Sequence, residues 1–506
     1  MTRLRIANGT LVSPRGTTRA DVLCSDGKIE RMGDTTDLPV DQQIDATGLL
    51  VFAGFIDPHV HSRDPGLTHK EDFAHSTRAA AAGGITTILE MPNAVPPVTT
   101  AEVFEERAAQ HGRVAFVDFG LWGLALGAEN LADIGRLFDA GAVAVKLFWG
   151  YALDRRTRML IYNLASEAPE NLIQPPDNGD VLSLCREVAR VGGLLGAHCE
   201  DRGVIEASER ALGHSATSYA ELLQARPATA EAVSIAIAAE LSGATSCRVH
   251  VVHTSSAPGI RAVRRAQTEG IPLTAETCPH YLSFTDADAA PSGSSMKVYP
   301  PIRTLDDQAA LWEGVRDGTI VSIGSDHAPH TPAEKSQSLA AAPAGILGVE
   351  TIGPVLVHEM LSGRLTPERL SAVLSESTAR LYGLYPRKGA LEVGSDADFT
   401  LVDPAATTIV DVARLHSLHP QTPWQGRPLR GSIRMTILRG EVIARLGELV
   451  GEPRGGLVRA AHGRSSAALP RPNPPTLAFT RELEEVIAPD LMPATVFDPA
   501  APAPHA

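Results

Sequence analysis

The sequence predicts an α/β chain: a (β/α)8 barrel of the TIM type over residues 53–385, with a small β-sandwich domain built from both chain ends, residues 1–52 and 386–460. Three observations carry this expectation. Eight near-continuous apolar runs alternate with helical stretches through the middle of the chain, the pattern of parallel βαβ units buried on both faces. Short strand-like segments divided by turn residues occur at both ends instead. The length of 506 residues suits one large barrel with a smaller companion and excludes a single small binding module.

The N-terminal segment reads as strands Leu4–Ile6, Thr10–Val12, Ala20–Cys24 and Lys28–Met32, separated by the turn signals Asn8-Gly9, Pro14 and Asp26-Gly27. The barrel strands are expected at Leu50–Ile56, Ile85–Met91, Val114–Leu121, Ala142–Phe148, Leu194–His198, Val249–His253, Leu273–Thr277 and Ile320–Ser325. Among the intervening helices, one running from Asp306 to Val315 is stopped by Gly318, and Thr366-Pro367-Glu368 opens another with a cap residue and Pro at the first position. The stretch from Arg155 to Asp180 is a long loop carrying Pro169, Pro175 and Pro176, expected to serve as a lid or an interface. Strands return at Ala397–Val402, Ser432–Leu438 and Glu441–Ala444, the last two joined through Arg439-Gly440. Residues 461–506 form a Pro/Ala-rich tail, expected to be partly disordered or surface-draped.

Subtracting 59 acidic from 45 basic side chains gives a net charge of −14, an acidic balance that argues against nucleic-acid binding. Near the start the longest apolar or small run, Gly48 to Ile56, is far short of the roughly 20 residues a membrane span needs. Met1 to Arg15 lacks a signal-peptide hydrophobic region. A cytoplasmic protein without membrane association is expected, as a homo-oligomer (dimer or tetramer). The five cysteines are scattered and show no CxxC spacing, so any metal must be held by histidines and carboxylates.

Residues able to bind metal fall at the C-terminal ends of five barrel strands, the face where such barrels carry their active sites: His59 and His61, Lys146, His198, His253 and Asp326. The spacing of His59 and His61 puts both imidazoles on one side of a strand, suited to two ligands of one metal. Lys146 lies in the apolar run Ala142–Phe148, where desolvation depresses its pKa and leaves a nucleophilic amine. Such an amine can take up carbon dioxide to give a carbamate that bridges two metal ions. The alternative is an ammonium that reaches the barrel rim or pairs with an acid such as Asp326. Asp326 itself can ligate a metal and move a proton from water to a leaving nitrogen, or it can cap a following helix.

The stretches Gly54–Gly66, Lys70–Phe73, Gly83–Thr87, Met91–Asn93, Glu276–Leu282, Pro300–Arg303, Asp326–His330 and Gly345–Glu350 resemble the cyclic amidohydrolases of the dihydroorotase, allantoinase and hydantoinase group, and the resemblance runs from about residue 3 to about 458. It implies two divalent metal ions, zinc expected, and no organic cofactor: His59, His61 and Asp326 hold one ion and His198 and His253 the other. Carbamylated Lys146 and a hydroxide bridge them, and Asp326 is the catalytic proton shuttle.

For the substrate, Arg63 stands two residues beyond His61 and so on the same side, where its guanidinium can grip a carboxylate. Asn93 can add an amide donor. Their counterparts in dihydroorotases, with that of His330, hold the carboxylate of the dihydroorotate ring. His280 is counted with the substrate-binding residues, and Tyr151 matches the hydantoinase tyrosine that stabilises the oxyanion. Tyr299 departs from the dihydroorotase pattern, which carries Asn there. The reading is a cyclic amidohydrolase acting on a small carboxylate-bearing ring such as dihydroorotate. Its rivals are a hydantoinase, dihydropyrimidinase or allantoinase and, more remotely, a catalytically silent scaffold.

Overall fold

A computed structural model describes residues 3–161 and 169–461. Eight parallel strands run through the middle: Phe55–Val60, Ile85–Glu90, Asp118–Leu121 continued by Gly123–Ala125, Val145–Phe148, Leu195–His198, Val249–Val251, Leu273–Thr277 and Ile320–Ile323. Each pairs in parallel with the next in chain order. The third is interrupted at Trp122, whose indole N–H donates to Pro58 O at 3.2 Å, so the set divides into sheets of three and six strands. Val60 bridges to His327, and the His61 N–H donates to the His327 carbonyl at 2.8 Å, which brings the first strand against the chain leaving the eighth. Nearly every residue in these strands is buried, which is why the sequence shows continuous apolar runs and no alternation.

The expected strand Leu50–Ile56 is in fact two. Leu50–Ala53 pairs antiparallel with Phe399–Ile409 in another sheet, while Phe55–Val60 opens the parallel set. The change of sheet occurs at Gly54, where a Cβ would stand 2.1 Å from Thr86 Oγ1 and 2.8 Å from Asp398 Cβ. An unbroken apolar run conceals such a switch because both strands are buried on both sides.

The two chain ends supply a four-stranded sheet, with Arg3–Ala7 between Asp21–Ser25 and Gln42–Asp45, and a seven-stranded sheet that includes Thr10–Ser13, Leu50–Ala53, Phe399–Ile409 and Pro428–Leu438. Leu4, Ile6, Val22 and Ile29 from one share a core with Val51, Phe399, Leu401 and Ile437 from the other. Gly16–Arg19 and Gln42–Asp45 are strands that the sequence reading omits, being short, polar and mostly exposed. The two helix assignments agree with the structure: Leu305–Asp317 is capped by Thr304 and ends at Gly318 with φ 87°, and Thr366 caps Pro367–Ser371.

Within the expected loop from Arg155 to Asp180, Leu160–Ile161 and Leu172–Ile173 flank Ala152–Asp154 in a small antiparallel sheet, and the helix Asn178–Val191 begins. The expectation for the tail falls almost wholly outside the described residues. Among the described residues no helix is long and apolar enough to cross a membrane.

Candidate active site

Polar residues in or just after the parallel strands converge at one place: His59, Lys146 and His198 lie within strands, and His61, His253 and Asp326 follow them. His59 Nε2 and His61 Nε2 lie 3.2 and 3.3 Å from Asp326 Oδ1, and the ligand atoms of the three all fall within 4.8 Å of one another, a spacing able to hold one cation. His198 Nδ1 and His253 Nε2 are 3.0 Å apart beside them. These five residues and Lys146 line one cavity of about 60 Å³ together with Arg63, Asn93, Tyr151 and Tyr299. A larger chamber of about 890 Å³ opens next to it and shares Tyr151 and Tyr299 as walls.

Burial sets the protonation states. Desolvation lowers the pKa of His59, His61, His198 and His253, so all four are neutral imidazoles with a lone pair to offer. Burial pushes the Asp326 carboxyl up, but the hydrogen bond with His61 and the nearby Lys146 outweigh it and hold Asp326 below its ordinary value. Lys146 is fully buried, and desolvation brings its ammonium down to about 8 against the attraction of Asp326 and Glu276. Its Nζ makes no hydrogen bond with any described residue, Asp326 included, and stands 5.1 Å from the centre of the Phe148 ring. Asp326 caps no helix: the next one, Pro332–Lys335, is capped by Thr331.

The outward ring nitrogen of three histidines is held from behind, an arrangement that fixes tautomer and orientation in metal sites. His59 Nδ1 meets Glu276 Oε1 at 2.6 Å, His61 Nδ1 meets Asn93 Oδ1 at 2.7 Å, and His198 Nε2 meets Glu200 Oε2 at 3.0 Å. The Asn93 carbonyl oxygen is therefore engaged by His61, a contact not anticipated for a residue assigned to the substrate. Glu200 and Glu276 were not singled out from the sequence. Glu200 stands two residues beyond His198, the same period-two relation that joins His59 to His61.

The residues assigned to the substrate separate into two groups. Arg63, Asn93 and Tyr151 line the cavity, Tyr151 with its hydroxyl 3.0 Å from His198 Nε2. His330 lies behind Arg63, its Nε2 3.5 Å from Arg63 Nη2 and its Nδ1 3.2 Å from Lys70 Nζ. His280 is packed on Tyr281, and burial lowers its pKa to about 4. Neither His280 nor His330 is among the residues that line the cavity.

Residues 50–443 match the amidohydrolase family. The chain is 37% identical over 458 residues to an allantoinase of Rubrobacter xylanophilus, covering 90% of this chain and 97% of that one. It is 36% identical over 450 residues to a dihydroorotase of Pelotomaculum thermopropionicum, covering 87% and 98%. The solved L-hydantoinase (dihydropyrimidinase) of Arthrobacter aurescens superposes with a TM-score of 0.84 at 35% identity, over 91% of this chain and 100% of that one. Histidines and a carboxylate gathered at the ends of parallel strands are thus what the sequence relationship would lead one to find, and the chain belongs to the amidohydrolase family, as a cyclic amide hydrolase of the dihydroorotase, allantoinase and hydantoinase group.

Proposed function

We propose that the protein hydrolyses a ring amide C–N bond in a small cyclic ureide that carries a carboxylate, dihydroorotate or a close analogue. The observation behind this choice is that the Arg63 guanidinium lines the same cavity as His59, His61, Lys146, His198, His253 and Asp326. A fixed guanidinium recognises a carboxylate through paired charge-assisted hydrogen bonds. The eight parallel strands are read here as a closed (β/α)8 barrel, and the two sheets from the chain ends as a β-sandwich domain.

The residues fit two divalent cations. Four imidazoles are held neutral, Asp326 is held ionised, and the buried Lys146 amine has no hydrogen-bond partner among the described residues. In this reading His59, His61 and Asp326 would hold one cation and His198 and His253 the other, with Lys146 contributing as its carbamate. All donors are nitrogen or oxygen, which suits zinc. Bound there, the cations supply Lewis acidity and a more acidic water. Asp326 accepts the proton of the attacking water and returns it to the departing ring nitrogen. Arg63 orients the ring through its carboxylate, and the Tyr151 hydroxyl is placed to donate to the carbonyl oxygen as negative charge develops on it.

A second reading, hydrolysis of an uncharged ring with a larger substituent, is favoured by the 890 Å³ chamber beside Tyr151 and by the allantoinase and hydantoinase names of two relatives. Steady-state kinetics on dihydroorotate, allantoin, hydantoin and dihydrouracil separates the two. Arg63→Met is expected to lower kcat/KM for dihydroorotate by about 3 kcal/mol, roughly a hundredfold, with far smaller losses on uncharged rings. Equal losses on both classes, or a wild-type preference for uncharged rings, transfers the assignment to the second reading.

A further inference from the structure

Arg226 follows the helix Tyr219–Ala225 and lines the larger chamber rather than the smaller cavity, yet it is only 5% exposed. Its guanidinium meets three groups. Nη1 donates to Glu200 Oε2, Cζ stands 3.6 Å above the centre of the Tyr299 ring, and the Tyr151 hydroxyl is a further hydrogen-bonding neighbour. The same Glu200 oxygen meets His198 Nε2 at 3.0 Å, and that ring nitrogen is also 3.0 Å from the Tyr151 hydroxyl. Arg226, Glu200, His198 and Tyr151 thus form a closed circuit, clamped on one side by the aromatic face of Tyr299. The Arg226 carbonyl accepts from Arg303 Nη1 at 2.9 Å, which fixes the backbone that carries the circuit.

We propose that Arg226, acting through Glu200, is a positioning residue that sets the orientation of both His198 and Tyr151. An imidazole turns freely about its outer torsion unless an acceptor holds its outward nitrogen. Glu200 supplies that acceptor, and the result is His198 Nδ1 directed at His253 Nε2, 3.0 Å away. A buried carboxylate can serve only while a counter-charge is fixed beside it. Arg226 is that charge, and its planar group, stacked on Tyr299, admits few orientations. A lysine would keep the charge and lose both the fork and the stacking. The inference rests on the two-cation reading of the site.

The test is divalent cation binding by metal-stripped protein, followed by elemental analysis and by the visible spectrum of bound Co²⁺, in Glu200→Gln, Arg226→Met and Arg226→Lys. Wild type is expected to take up two equivalents. In each variant one equivalent is expected to bind as in wild type and the other about 10- to 100-fold more weakly. On the fully loaded enzymes kcat is expected to fall more than KM, with Arg226→Lys failing to restore it. Should Arg226→Met not fold, the isosteric Glu200→Gln carries the same expectation. Two equivalents of unchanged affinity in folded Glu200→Gln overturn the positioning role alone. A wild-type protein that binds no divalent cation overturns the two-cation reading, and this proposal with it.

Discussion

Lys146 owes its chemistry to its surroundings. An ammonium there is fully buried and has no hydrogen-bond partner among the described residues, and desolvation lowers its pKa. Lys146→Ala is expected to abolish most activity and to reduce bound metal, with partial recovery when a short carboxylic acid is added to occupy the space of the lost group. Lys146→Arg is expected not to respond, because a bulky permanent cation fills that space. Parallel activity and elemental analysis checks this, and wild-type turnover in the Ala variant would rule the carbamate out. Three neighbours show the same subordination of residue to site: Arg63, His253 and Asp326 adopt φ of 61°, 41° and 47°. Left-handed backbone at non-glycine residues stores on the order of 1–3 kcal/mol each and persists where the surrounding structure enforces it.

At the scale of elements, the junction between Leu50–Ala53 and Phe55–Val60 is decisive because it sets where the chain leaves one sheet and begins the strand that carries His59. Gly54 has Thr86 and Asp398 against the space where a side chain would begin. Gly54→Ala is expected to lower stability by about 1–3 kcal/mol through overpacking, measured by urea unfolding. Loss of activity in that variant should track unfolding and leave kcat of the folded fraction near wild type. An unchanged urea midpoint would show that Thr86 moves aside without penalty.

For the whole molecule, the middle of the chain and its C-terminal sheet segment are joined by buried charge. Lys388 Nζ contacts Asp118 at the start of the third parallel strand and lies 2.6 Å from Asp398 and 2.9 Å from Asp396, with Arg439 also on Asp118. Lys388→Met leaves these carboxylates short of their central counter-charge, and a loss of about 3–5 kcal/mol is expected from denaturant unfolding. Glu71 provides a second tie, accepting from the Leu418 N–H at 3.1 Å while burial raises its pKa to about 8. The folded state therefore retains a proton that the unfolded chain releases near 4.5, so this contribution is complete below that pH and fades as pH rises toward about 8. Glu71→Gln cannot titrate, so its stability relative to wild type is expected to increase between pH 5 and pH 8 in paired denaturation curves. A constant difference across that range would show that Glu71 is ionised throughout.

The sequence by itself determined the parallel strands, the chain ends that build a separate pair of sheets, and the assembly of His59, His61, Lys146, His198, His253 and Asp326 in one place. The reason is local. Strands buried on both faces must be apolar throughout, so a polar residue at the end of such a run stands out, and period-two spacing tells which side it takes. Tertiary structure alone decided the rest. The break at Gly54 is hidden inside an apolar run, and the polar strands Gly16–Arg19 and Gln42–Asp45 have no alternation to reveal them. Glu276 and Arg226 act from other elements, so their meeting with His59 and with Glu200 depends on packing between segments distant in the chain, whereas Glu200 reaches His198 from two residues away. His330 and His280 are likewise absent from the cavity lining: a motif fixes which residues are neighbours along the chain, while tertiary packing decides which of them face the cavity.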